Sequence, residues 1–292
     1  MKKGRKKRRK GRKGHSQSYS VNNEHKASVF HLLFGTEENK ANALELYNAI
    51  NGTAYSLEDL EITTLETVIY MGVKNDASLI VGSEMSLWEH QSSFNPNMPL
   101  RGLVYFGRLY DGWVERKDLN IYGRKKLTIP APRYYVFYNG KENQPESIQL
   151  RLSDLYEGEG DVEVTATMLN INEGHNLEIM ERCKPLRDYA RLIGLIRQYS
   201  ESMDIEEAVD KAVEQCIKEG VMEAFLRGHR AEVRGMMLTD YDEKKTLEHF
   251  KKEWYEDGWN DGEMAGCCKG CAMFDEKHDS CADIPDFDRI YS

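Results

Sequence analysis

Two acids and an amide give the first chemical suggestion in this chain. In Asp76-Ala-Ser-Leu-Ile-Val-Gly-Ser-Glu-Met-Ser-Leu-Trp-Glu89-His90-Gln91, two largely apolar runs flank Gly82-Ser83. Glycine supplies the positive φ that the first position of a type II′ turn requires, so the spacing predicts a β-hairpin. With that turn, Val81 faces Glu84 and Asp76 lies opposite Glu89. Period-two alternation puts Ser78 and Ile80 on the face of Asp76, against Leu87 and Met85, and Gln91 on the face of Glu89. Trp88 and His90 then point the other way. Opposed carboxylates with Cβ atoms ~5 Å apart repel unless something separates their charges. A hard divalent cation does so, because Mg²⁺ binds through one or two carboxylates and keeps waters for phosphate oxygens. The same spacing also suits a solvent-facing sheet edge, or a register displaced by one residue, which would send every side chain to the other face.

A second cluster lies near the other end: Cys268-x-x-Cys271 followed by His278-x-x-Cys281, with Cys267 adjacent. A Cys₃His set in paired spacing is what structural Zn²⁺ uses, although the two pairs are close together among acids and glycine, as in a reduced tail. His175 and His229 have no nucleophile beside them and read as loop or cap histidines. Tyr134, Tyr135, Phe137 and Tyr138 could stack bases, but at strand spacing they read first as core. The chain has no GxxxxGK[ST], G-x-S-x-G or HExxH, which disfavours nucleotide hydrolases, α/β-hydrolases and common zinc proteases.

The elements that must position the acids follow from periodicity and punctuation. A helix is expected over residues 37–50, ended by Asn51-Gly52, then strands over 65–71, 76–81 and 85–91. Asn95-Pro-Asn-Met-Pro99 is a turn into a helix reaching about Val114, with Pro99 suited to its first turn. Strands are expected over 133–138, ended by Asn139-Gly140, and over 162–170. Helices follow over 186–199, 205–218, 221–226 and 231–254, so the second half is mostly helical and could serve as an assembly module over 185–266. Gly258, Gly262 and Gly266 read as a flexible tail.

Of the 292 residues, 40% are hydrophobic and 30% charged, a globular balance. The net charge of −9 conceals an asymmetry, because residues 2–13 hold ten basic side chains and no acid. Without them 30 basic residues face 49 acidic ones, which excludes a uniformly basic nucleic-acid coat. Residues 1–25 read as a solvated, disordered arm, either a solubility tail or a sequence-independent phosphate contact. No run approaches the ~18 apolar residues of a membrane span, and the polar residues 15–25 offer no signal-peptide core, so no membrane association is expected. Six cysteines without a framework pattern suggest reduced thiols in a cytoplasmic protein.

An Asp opening one strand and Glu-x-Gln on the next, between helices, resembles the PD-(D/E)XK nuclease core. Asn75-Asp-Ala-Ser78, Glu89-His-Gln-Ser92 and Asn95-Pro-Asn-Met-Pro-Leu-Arg101 resemble its recombination-promoting nuclease/putative transposase branch. Tyr138-Asn-Gly140, Asn170-Ile-Asn172 with Gly174-His-Asn176, and Arg230-Ala-Glu-Val233 resemble later landmarks of that branch, so the likeness spans about residues 30–241. It implies an α/β, restriction-endonuclease-like core, a mixed sheet flanked by helices, over residues 26–145. A strand and helices over 146–245 would extend the same domain, with a Cys-containing tail over 246–292. It implies Mg²⁺- or Mn²⁺-dependent endonucleolytic cleavage of DNA, with recombination or mobile DNA as the setting. Separately, a homo-oligomer is a possible form of the chain. Asp76 and Glu89 would be metal ligands, the His90 carbonyl a third, and Glu45 an additional acid, unless it is simply a solvated helix residue. Gln91 stands where the family name has Lys; an amide can orient the attacking water but carries no charge. Arg101 would contact a phosphate, or be an ordinary surface residue. The rival reading is a protein that binds DNA or a partner on a nuclease scaffold without cutting.

Overall fold

Gly82 takes φ +56° while Ser83 stays at negative φ, the pattern of a type II′ turn, and it folds β2 (Ala77–Val81) back on β3 (Glu84–Gln91). Val81 pairs with Glu84 and Ala77 with Trp88, the register expected from the turn. The structure, a computed structural model, describes residues 28–63 and 76–239. The strand expected over 65–71, the basic arm, the repeated glycines and the cysteines and histidine proposed for zinc (Cys268, Cys271, His278, Cys281) lie outside the described residues.

A short strand β1 (Leu60–Ile62) pairs antiparallel with the outer side of β2. After β3 the chain runs through α3 (Met98–Arg116) and returns as β4 (Ala131–Tyr138), parallel to β3. β6 (Thr165–Asn170) lies parallel to β4, and β5 (Ser147–Arg151) closes the far edge antiparallel to β6. The result is an open, six-stranded mixed sheet of order β1-β2-β3-β4-β6-β5.

Both faces of the sheet are covered, each by its own apolar core. On one face Met85, Leu87, Tyr134, Val136 and Met168 pack against Tyr105, Phe106 and Leu109 of α3. On the other, Leu79, Trp88, Phe137 and Leu169 meet α1 (Val29–Phe34), α2 (Lys40–Asn51), α5 (Lys184–Ser200) and α6 (Ile205–Glu219). Helices α4 (Leu177–Arg182) and α7 (Glu223–Gly228) and a further helical stretch at 230–239 complete that layer. The helices of the second half therefore share a core with the sheet.

Four elements escape the periodicity reading. β1 has three residues, α1 and α4 six each, and β5 presents Ile148 and Leu150 only half-buried, so none has a strong apolar pattern. The strand expected from Val162 begins at Thr165, because Glu163 accepts backbone N–H bonds from Leu152 and Ser153. No helix among the described residues is long and apolar enough to cross a membrane.

Candidate active site

The parallel strands end in step: Gln91 pairs with Tyr138, and Tyr138 with Asn170. Because β2 runs antiparallel to β3, Asp76, just before β2, arrives at that same end of the sheet, one position beyond the Ala77–Trp88 pair.

Asp76 is held by two neighbours. Its Oδ2 accepts the backbone N–H of His90 at 2.7 Å, and its Oδ1 accepts the Ser28 hydroxyl at 3.1 Å. Ser28 also caps α1, accepting the His31 N–H at 3.0 Å, and His31 Nδ1 lies 2.5 Å from the Asp76 carbonyl oxygen. The short helix thus fastens Asp76. Gly35 is required at its end, since a Cβ there would lie 2.5 Å from the same carbonyl. Burial pushes the Asp76 carboxyl upward, and the two hydrogen bonds oppose that shift without cancelling it.

Glu89 is 2% exposed. Its Oε2 accepts Nη2 of Arg101 at 2.7 Å, whereas its Oε1 has no side-chain hydrogen-bond partner among the described residues. Burial first, and then the negative charge of Asp76, hold the Glu89 carboxyl well above the usual range; Arg101 and the backbone N–H of Asp76 only partly offset them. Arg101 reaches Glu89 because α3 sits tightly on the sheet: a Cβ on Gly102 would lie 2.5 Å from the Tyr134 ring. The guanidinium also donates to the Tyr105 hydroxyl at 3.2 Å and lies 5.8 Å from the centre of that ring. The buried Tyr134 hydroxyl has no partner either, and its pKa is raised by burial and then by Glu89.

His90 sends its ring to the opposite face, as alternation requires. There it stacks on Phe30 at 5.3 Å, with Nε2 3.0 Å from the Tyr189 hydroxyl. In an extended strand a residue's N–H and C=O point to the same side, so the His90 carbonyl is directed along the edge where its N–H meets Asp76. Gln91 ends β3, half-buried, on the side of Glu89.

Glu45 does not join this group. Its Oε1 accepts the backbone N–H of Lys184 at 2.7 Å, so this acid caps the start of α5 and is neither a third carboxylate beside Asp76 nor merely solvated. Arg101, expected on a phosphate or at the surface, is instead paired with Glu89. His175 pairs with Glu146 at 2.9 Å and His229 with Glu232 at 3.0 Å. Tyr134, Phe137 and Tyr138 are buried core residues, and the half-buried Tyr135 donates to Asn51.

Among the described residues no group of three His, Cys, Asp or Glu side chains gathers to hold a metal. The fit to Mg²⁺ or Mn²⁺ therefore rests on two hard carboxylates, one with an unpartnered buried oxygen, and a backbone carbonyl beside them. Such cations accept this set, filling their remaining positions with water or phosphate oxygens. Residues that sequence reasoning missed are Ser28, His31 and Tyr105. Only Ser28 carried a signal, as a serine just before an apolar run. Compared with protein-family models, curated proteins and solved structures, the chain finds no match.

Proposed function

We propose that the chain is a metal-dependent DNA endonuclease that cuts at the Asp76–Glu89 pair, on a restriction-endonuclease-like core. The observation that carries this reading is the state of Glu89: a buried carboxylate, charged against Asp76, with one oxygen unpartnered. Such a pair is costly by itself and is relieved by a dication. When bound, Mg²⁺ or Mn²⁺ polarises the scissile phosphate and makes water nucleophilic near neutral pH. Asp76 and Glu89 would hold the ion, with the His90 carbonyl on the same edge. Arg101 fixes Oε2 of Glu89, which would leave Oε1 to the cation. Gln91 orients the attacking water through its amide, and Arg101 brings to the site the positive charge that a lysine at 91 would have carried. The ten basic residues of 2–13 recruit DNA through its phosphates without reading sequence. The resemblance to the recombination-promoting branch points to recombining or mobile DNA as the substrate.

Nicking of supercoiled plasmid, with Mg²⁺ or with chelator, tests the proposal. Wild type nicks only with the metal, and Asp76→Asn and Glu89→Gln each lose about 10²–10³-fold in rate, several kcal/mol of transition-state stabilisation. Equal nicking by all three proteins overturns it. The 2.7 Å Arg101–Glu89 ion pair favours a second reading, in which the acids are structural and the protein binds DNA or a partner without cutting. DNA binding with no cleavage at any Mg²⁺ or Mn²⁺ concentration selects that reading.

A further inference from the structure

At the same end of the sheet, but on the α5 side, lies a pocket of about 700 Å³ against the residues that follow β4 and β6. Open α/β sheets take their ligands outside the carboxyl ends of parallel strands. Asn139, Lys141, Asn172, Tyr189 and Arg197 help to line it.

Arg197 is the unusual group. It is half-buried and donates to Asn172 Oδ1 at 2.6 Å, but no carboxylate among the described residues pairs with it. Burial lowers its pKa, opposed only by the tyrosines 189 and 138. Arg191, on the same helix, is by contrast paired with Glu173 at 3.2 Å and Glu219 at 3.4 Å. A half-buried guanidinium without a counter-ion calls for an anion.

A second observation points the same way. Asn139 is 4% exposed, and its Nδ2 lies 3.4 Å from the Tyr189 hydroxyl while its Oδ1 has no partner. An amide can be turned over without changing its shape. Turned, it accepts from Tyr189, which accepts in turn from His90 Nε2, and the Asn139 NH₂ takes the unpartnered position. In that orientation the unpartnered atom is a hydrogen-bond donor, and because Asn139 and Arg197 line the same pocket, its chemistry suits an oxyanion. Glu142, Glu201 and Glu173 (the last paired with Arg191) also line the pocket and disfavour a doubly charged terminal phosphate, so a singly charged phosphodiester fits best.

We infer that this pocket seats a nucleic-acid backbone phosphate close to the one cut, held by Arg197 and Asn139. The inference rests on the proposed nucleic-acid substrate but not on cleavage. Fluorescence anisotropy of a labelled duplex with the full chain, in chelator and over about 50–200 mM salt, tests it. Arg197→Gln weakens binding and makes the slope of log K against log salt shallower by about 0.9, one phosphate contact. Arg197→Lys restores the slope. An unchanged slope in a folded Arg197→Gln overturns the inference, and absence of DNA binding by wild type overturns it together with the nuclease reading. A changed slope without cutting defeats only the nuclease reading. Should Arg197→Gln not fold, a crystal structure of wild type with a phosphorothioate oligonucleotide decides: a phosphate on Arg197 supports the site, and a pocket without one refutes it.

Discussion

Glu89 sets the electrostatics of the site. Its folded-state pKa is raised by burial and by Asp76, above the ordinary 4.5. A carboxyl raised on folding contributes stability that is fully present below its unfolded pKa and lost as pH rises through the folded value. Without divalent metal, the urea-unfolding free energy of wild type should therefore fall as pH climbs above the ordinary carboxylate range, and Glu89→Gln should flatten that fall. Mg²⁺ at neutral pH should reverse it, adding ~2.7 kcal/mol at about one hundred times its Kd and releasing protons, with no such gain in Glu89→Gln. Thermal melts with and without metal check this. At this scale the sequence was informative where partners are joined by a tight turn: opposing Asp76 to Glu89 needs only Gly82 and alternation. Ser28 stands 48 residues from Asp76, and Glu45 lies 139 from Lys184, so their pairings depend on how whole helices dock.

Among the elements, α3 is the one whose position decides the chemistry. It carries Arg101 to Glu89 because Gly102 leaves no side chain between helix and Tyr134. Gly102→Ala should force α3 or Tyr134 to move, destabilising the protein by ~1–3 kcal/mol through overpacking. The same substitution should slow plasmid nicking, since the ion pair loses its geometry. Urea unfolding and cleavage rates measured on one preparation check both. Helices with a full amphipathic face, such as α3, α5 and α6, were legible to within two residues at each end, and β3 and β4 to within two as well. The edge strands were not, because β1 is three residues long and β5 alternates only between exposed and half-buried positions.

For the molecule as a whole, the sheet divides two apolar cores, and the larger one contains Cys183 and Cys216. Burial pushes both thiols up to about 12, so almost no thiolate exists near neutrality. At pH ~8, alkylation followed by peptide mass mapping should leave both unmodified in the native protein and label them together in denaturant. Labelling at native-state rates typical of exposed thiols would mean that the helical layer opens without global unfolding. The alternation along β3 has a related effect across the sheet. Glu89 reports to the layer of α3 and His90 to the layer of α5, yet the His90 main chain grips Asp76 while its ring contacts Tyr189. One residue thus straddles two chambers, and NMR signals from its backbone amide and its ring protons can register what enters each of them.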